Sequence, residues 1–306
     1  MTTGRMVNTG GVELWTEEFG DPSHPPVLLV MGSMSQGVVW PDALVGRLAA
    51  GGRRVIRYDH RDTGRSSAVD FEADPYTWAD VKNDVLGVLD AYGIAAAHIV
   101  GHSAGGLLGQ WIAAEHPDRV LTLTTIGSSP LGRREGKVLM RALTGEPNRP
   151  GDLPPPLPAF VEFFARAAAE PPPADRRALV DFQVALARVL HGPDIPFDED
   201  EQRRQEERIF DRARRPGSEA GHRLAAAADP DFEPTGLLSR ITVPTLVVEG
   251  TREPVKPGHG ALIAAEIPGA ELLMIEGMGH TLPPQVHPEL AGAILTHTAR
   301  VTAPAT

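Results

Sequence analysis

Gly101-His102-Ser103-Ala104-Gly105 constrains this chain more than any other stretch. The apolar run Ala97-His98-Ile99-Val100 precedes it, and Gly106 to Glu115 follows with the spacing of a helix. A strand that enters a helix through G-x-S-x-G must turn so tightly that the serine backbone is strained, so its neighbours must be small. Gly101, Ala104 and Gly105 meet that demand. Such a turn lifts a serine hydroxyl out at the end of a strand, where the helix dipole favours negative charge.

The surrounding pattern says what kind of sheet the turn belongs to. Val27 to Met31, Arg54 to Tyr58, Ala97 to Val100 and Leu121 to Ile126 are short apolar runs of the kind seen in buried parallel strands. Between them, Pro41 to Ala50 and Trp78 to Tyr92 have helical spacing, the second with Val81, Val85, Val88 and Leu89 on one face. This alternation predicts an α/β fold with a mostly parallel central sheet and helices on both faces. The character changes near Pro130, with Pro154-Pro155-Pro156, Pro171-Pro172-Pro173 and many Arg and Glu residues. Regular alternation resumes at Thr245 to Val248 and Leu272 to Ile275. We therefore expect residues 1–130 and 236–306 to form the core, and 131–235 to be a helical cap inserted over the site. Phe160, Phe163, Phe164, Phe182, Val184, Leu186 and Val189 give that segment apolar faces.

Composition closes off several classes. The 306 residues can bury a sizeable core, and a formal charge of −11 argues against a nucleic-acid partner. With no cysteine there is no disulfide, thiolate metal site or cysteine nucleophile. No apolar run suits a signal peptide or a membrane span, so the expectation is a cytoplasmic protein without a membrane partner, as monomer or homodimer. No cluster has metal-ligand spacing and no G-x-G-x-x-G opens a helix, so no metal or other cofactor is expected.

A serine nucleophile needs a base, an acid to orient it, and donors for the oxyanion. Chain order in this arrangement is serine, acid, histidine. His280, in Gly277-Met278-Gly279-His280 just past the last strand, is the candidate base. The candidate acid is Glu253, in the loop after Thr245 to Val248, with Glu249 at the strand end as the alternate. Ala104 and Ser33 are the candidate oxyanion donors, with Gly32 permitting close approach. Met34 and Trp40 are candidate pocket residues. The loops around Ser103 look nearly free of charge, which favours an apolar or aromatic acyl group. Asp59 to Ser66 alternates Asp and Arg after a strand and is read as a hydrogen-bonded turn that braces its neighbours.

Together these residues resemble the α/β-hydrolase superfamily, and more narrowly the aclacinomycin methylesterase group, the carboxymethyl esterases of anthracycline biosynthesis. The likeness rests on Gly11-Val12-Glu13-Leu14-Trp15, Val30-Met31-Gly32, Val55 through Ser66, Val243-Pro244-Thr245-Leu246-Val247 and Gly277-Met278-Gly279-His280. It implies Ser103 as nucleophile, His280 as base and the acid at Glu253, acting on a methyl ester of an aromatic polyketide. The chain departs from the group at Glu253, where the group has Asp, and at Ala104, where it has a bulkier residue. The middle segment matches least.

The expected function is therefore a serine esterase working through a Ser-His-Glu triad and an acyl-enzyme on a small-molecule ester. A lactonase or acyltransferase would use the same site. A ligand-binding homologue with impaired turnover is the reading from another class. Epoxide hydrolase or dehalogenase chemistry is disfavoured, because it wants a carboxylate where Ser103 stands.

Overall fold

The structure, a computed structural model, describes residues 3–169, 175–228 and 234–301. In chain order its strands and helices are β1 (Thr3–Asn8), β2 (Glu13–Phe19), β3 (Pro26–Val30), α1 (Asp42–Ala50), β4 (Arg54–Tyr58), α2 (Trp78–Ala91), β5 (Ala97–His102), α3 (Ala104–Glu115) and β6 (Val120–Ile126). Then follow α4 (Glu135–Thr144), α5 (Pro158–Ala169), α6 (Arg176–His191), α7 (Glu199–Arg212) and α8 (Gly221–Ala228). The chain returns to the sheet with β7 (Thr245–Gly250), α9 (His259–Glu266), β8 (Glu271–Ile275) and α10 (His287–Thr298).

These strands form one sheet in the order β1-β2-β4-β3-β5-β6-β7-β8. From β4 to β8 every pairing is parallel, whereas β1–β2 and β2–β4 are antiparallel. The inner parallel strands are largely apolar because both faces are covered, whereas the edge strand β8 exposes Leu272 and Met274. All six residues of β5 and all six of β7 are buried. One face packs against Val81, Val85 and Leu89 of α2 and Leu108 and Ile112 of α3. The other packs against Leu44 and Leu48 of α1 and Leu290 and Ile294 of α10.

After β3 the chain steps outward to β4, then returns to place β5 on the other side of β3. The connections leaving β3 and β5 thus diverge to opposite faces, and the place beyond their carboxyl ends is the usual ligand site of an open α/β sheet. Ser103 follows β5 and Gly32 lies just past β3, so the sheet topology alone brings the two together.

Helices α4 to α8 lie between β6 and β7, the stretch anticipated as an insertion. Helices α5 and α6 are held by Phe160, Phe163, Phe164 and Phe182, whose rings pack at 4.8 to 5.5 Å. Helix α7 reaches the loop after β3. Gln205 Nε2 donates to the Val38 carbonyl at 2.8 Å, and Gln36 Nε2 to that of Ile209 at 2.7 Å. Pro171-Pro172-Pro173, noted in the sequence, lies outside the described residues.

Candidate active site

The tight turn is built as its residue types require. Ser103 has φ 54° and ψ −121°, a left-handed backbone that a non-glycine residue adopts only at a cost. A Cβ at Gly101 would strike the Gly105 carbonyl, and one at Gly105 would strike the Val30 and Met31 carbonyls. The turn is pinned on both sides. Ser103 N donates to the Ile126 carbonyl at 2.8 Å, and Ser128 Oγ donates to the Ser103 carbonyl at 2.8 Å.

Glu253 is buried in the loop after β7, and its Oε2 lies 2.8 Å from His280 Nδ1. Its other oxygen accepts the Val255 and Lys256 amides at 2.9 and 3.2 Å. Burial would raise this carboxyl, but the charge and hydrogen bond of His280 and the Val255 amide outweigh it and hold the group below the usual range. The longer Glu side chain is thus anchored at one oxygen while the other addresses the imidazole. Gly127, just past β6 with φ 52°, makes room for the pair. A Cβ there would stand 3.0 Å from Glu253 Oε2 and 3.2 Å from His280 Nδ1.

The loop carrying His280 leans on the end of α6. His280 N donates to the Leu190 carbonyl at 2.6 Å and Gly279 N to that of His191 at 3.2 Å, satisfying carbonyls that a helix end leaves open. His102 backs the same loop. Its Nε2 lies 2.8 Å from the His280 carbonyl, and burial, with the charge on His280, holds its pKa down to about 3. The ring stays neutral and serves as a prop.

On the β3 side, a Cβ at Gly32 would lie 3.2 Å from Ser103 Cβ. The loop is fixed by two neutral histidines. His60 Nε2 lies 2.9 Å from the Met31 carbonyl, and His222 Nδ1 of α8 accepts the Met34 amide at 2.8 Å. Met34 itself has φ 64°, so that bond holds a strained residue next to Ser33. Ala104 opens α3, where the first amides have no partner within the helix.

Several expectations need correcting. Trp40, taken as pocket wall, is fully buried in the core beneath the site, edge-on to His102 at 6.2 Å. Glu249, the alternate acid, is committed elsewhere: it accepts the amides of Gly258 and Gly260 and caps α9. The surroundings of Ser103 are not free of charge. Lys256 Nζ lies 3.1 Å from Ser103 Oγ and 3.2 Å from Glu135 Oε2 at the start of α4. Sequence reasoning missed Lys256, Glu135, Gly127 and His222. Only Lys256 left a usable signal, three residues beyond Glu253 in the same loop. The Asp59 to Ser66 turn does brace: Asp59 accepts the Gly37 and Arg65 amides and pairs with Arg212 of α7 at 3.3 Å. Among the described residues, no group of three or more His, Cys, Asp or Glu is gathered for a metal, and no helix is long and apolar enough to cross a membrane.

A serine lifted over a topological switch point, beside a carboxylate–imidazole pair, suits acyl transfer. The profile of the alpha/beta hydrolase fold matches residues 25–284. Rhodomycin D methylesterase DauP of Streptomyces sp. (strain C5) is 40% identical over 299 residues, covering 97% of this chain and 99% of that protein. Rhodomycin D methylesterase DnrP of Streptomyces peucetius matches with the same identity and coverage. Among solved structures, a hydrolase from Pseudomonas aeruginosa PA01 superposes with a TM-score of 0.69 at 25% identity, over 96% of this chain and 98% of its own. The chain belongs to the alpha/beta hydrolase family. With two methylesterases matched over nearly full length, it is an enzyme of the carboxylic ester hydrolase class.

Proposed function

We propose that Ser103, His280 and Glu253 form a catalytic triad that hydrolyses a carboxylic ester through an acyl-enzyme. The observation that carries this reading is the 2.8 Å Glu253–His280 contact beside a serine with a strained, left-handed backbone. Ser103 Oγ attacks the ester carbonyl carbon and its proton passes to His280 Nε2. Glu253 holds the imidazole by Nδ1–H and stabilises the imidazolium. The oxyanion is received by the Ala104 and Ser33 amides, Gly32 allowing the approach. The tetrahedral intermediate expels the alcohol, protonated by His280, and water then releases the acid by the same steps.

The similarity to two rhodomycin D methylesterases supports a narrower substrate, the methyl ester of an aromatic polyketide. Residues 131–235 form the cap in this reading, supported by the bonds from α6, α7 and α8 to the site loops. Ser103→Ala tests the mechanism. Hydrolysis of short p-nitrophenyl esters should fall by about 10³-fold or more with the fold retained. Turnover close to that of the unaltered enzyme would overturn it.

A further inference from the structure

Lys256 is buried, and its ammonium ends on the nucleophile itself, with Glu135 as its counter-charge. The strand order locates its approach. The β3 loop, bearing Gly32 and Ser33, lies on one side of β5; Lys256 follows β7 and Glu135 follows β6, on the other side. The ammonium therefore reaches Ser103 from the flank opposite the Ser33 amide, one of the two oxyanion donors, and addresses a different atom of the substrate.

That atom must lie near the scissile bond. A reacting carbonyl carbon stands about 3 Å from the attacking oxygen. Since Nζ is 3.1 Å from Ser103 Oγ, substrate atoms within a few bonds of that carbon come within reach of the ammonium. When the serine attacks, the ammonium loses one of its two acceptors and keeps Glu135. An apolar group arriving there would leave a buried cation short of a hydrogen bond, which is costly. An oxygen acceptor restores it, and an ionised one adds the Coulomb attraction of opposite charges, which is stronger in a buried site than in water.

Resting on the serine-esterase reading, we propose that Lys256 is a specificity-determining residue: it selects esters whose acyl group carries an anionic oxygen within about three bonds of the scissile carbonyl carbon. Glu135 competes with that oxygen for the ammonium and sets the strength of the selection. The acyl pocket is thus not uniformly apolar.

Two methyl esters of matched shape test this: monomethyl malonate, with a carboxylate at that distance, and methyl 3-methylbutanoate, with two methyl groups in its place. Methanol release gives kcat/KM for each, and comparing the malonate-to-methylbutanoate ratio among enzymes cancels intrinsic reactivity. Lys256→Met should lower this ratio tenfold or more. Glu135→Gln, which keeps the shape and frees the ammonium, should raise it severalfold. A merely structural ion pair would move both esters together in both variants, leaving the ratio unchanged, and that result would overturn the proposal. If Lys256→Met does not fold, the direction of Glu135→Gln decides alone. If neither ester is turned over, their protection of Ser103 against a fluorophosphonate probe reads the corresponding ratio of binding affinities, with the same expected directions. Labelling of Ser103 with a ratio indifferent to both substitutions sinks this proposal only. Failure of a folded protein to label sinks the serine-esterase reading with it.

Discussion

The two flanks of Ser103 are built from different materials. Toward β3 stand a glycine, two hydroxyl residues and two histidines kept neutral by burial, with no side-chain charge at the loop itself. Toward β6 and β7 stand Glu253, His280, Lys256 and Glu135, linked through contacts of 2.8 to 3.2 Å. The neutral flank can receive a developing oxyanion on backbone dipoles that need not reorganise. The charged flank holds two carboxylates against one ammonium while the imidazole is neutral. A proton arriving on His280 therefore balances it. One side is built to accept charge and the other to be completed by it.

Removing Glu253 breaks this contrast most severely. In Glu253→Ala the imidazole loses its orienting acceptor and the flank loses the charge that stabilises imidazolium. We expect kcat/KM to fall by about 10²- to 10⁴-fold in ester hydrolysis. Glu253→Asp keeps the charge and should retain most activity, since only the reach of the carboxylate changes. Equal losses in the two variants would mean that anchoring at Val255 and Lys256 matters more than charge.

A smaller effect probes the neutral flank through pH. His222 accepts the Met34 amide at Nδ1, and burial, with His60 nearby, holds its pKa down to about 3. The unfolded chain takes up this proton near the ordinary value of 6.5. Between pH 6.5 and about 3 the unfolded state thus binds more protons, so stability is full above 6.5 and is lost as pH falls. At pH 5 the cost is about 2 kcal/mol for this residue. His222→Asn, which can still accept from Met34 N, should flatten the fall in denaturant midpoint between pH 7.5 and pH 5. An unchanged slope would show that the proton goes elsewhere.

The contrast between flanks also separates what the sequence makes legible from what it does not. Strands β3 to β8 are short, largely apolar runs, broken by Arg in β4 and Thr in β6, and each is readable to within about two positions. Strands β1 and β2 are not: β2 fully buries only Leu14 and Thr16, one of them polar, and carries Glu13, Glu17 and Glu18 beside them. Ser103 and His280 are legible because each carries its own local signature, small residues around a turn and glycines on the approach. Glu253 follows from chain order. Gly127, Glu135 and Lys256 are different. They converge from the ends of two strands and the start of a helix, and apart from the nearness of Lys256 to Glu253 no spacing in the chain records that meeting. Trp40 is misread for the opposite reason: an aromatic near the loop suggests a wall, while the turn Gly37–Val39 leads its ring into the core. His222 is illegible because its partner, Met34 N, is a backbone group on another layer.

The central claim is that Ser103 is a nucleophile activated by the Glu253–His280 pair. Reaction of the whole protein with a fluorophosphonate, followed by peptide mapping and timed labelling, tests it most directly. The account predicts one fast adduct, on Ser103, formed far more slowly in Glu253→Ala. An adduct on another residue, or labelling of Ser103 that is indifferent to Glu253, would contradict it.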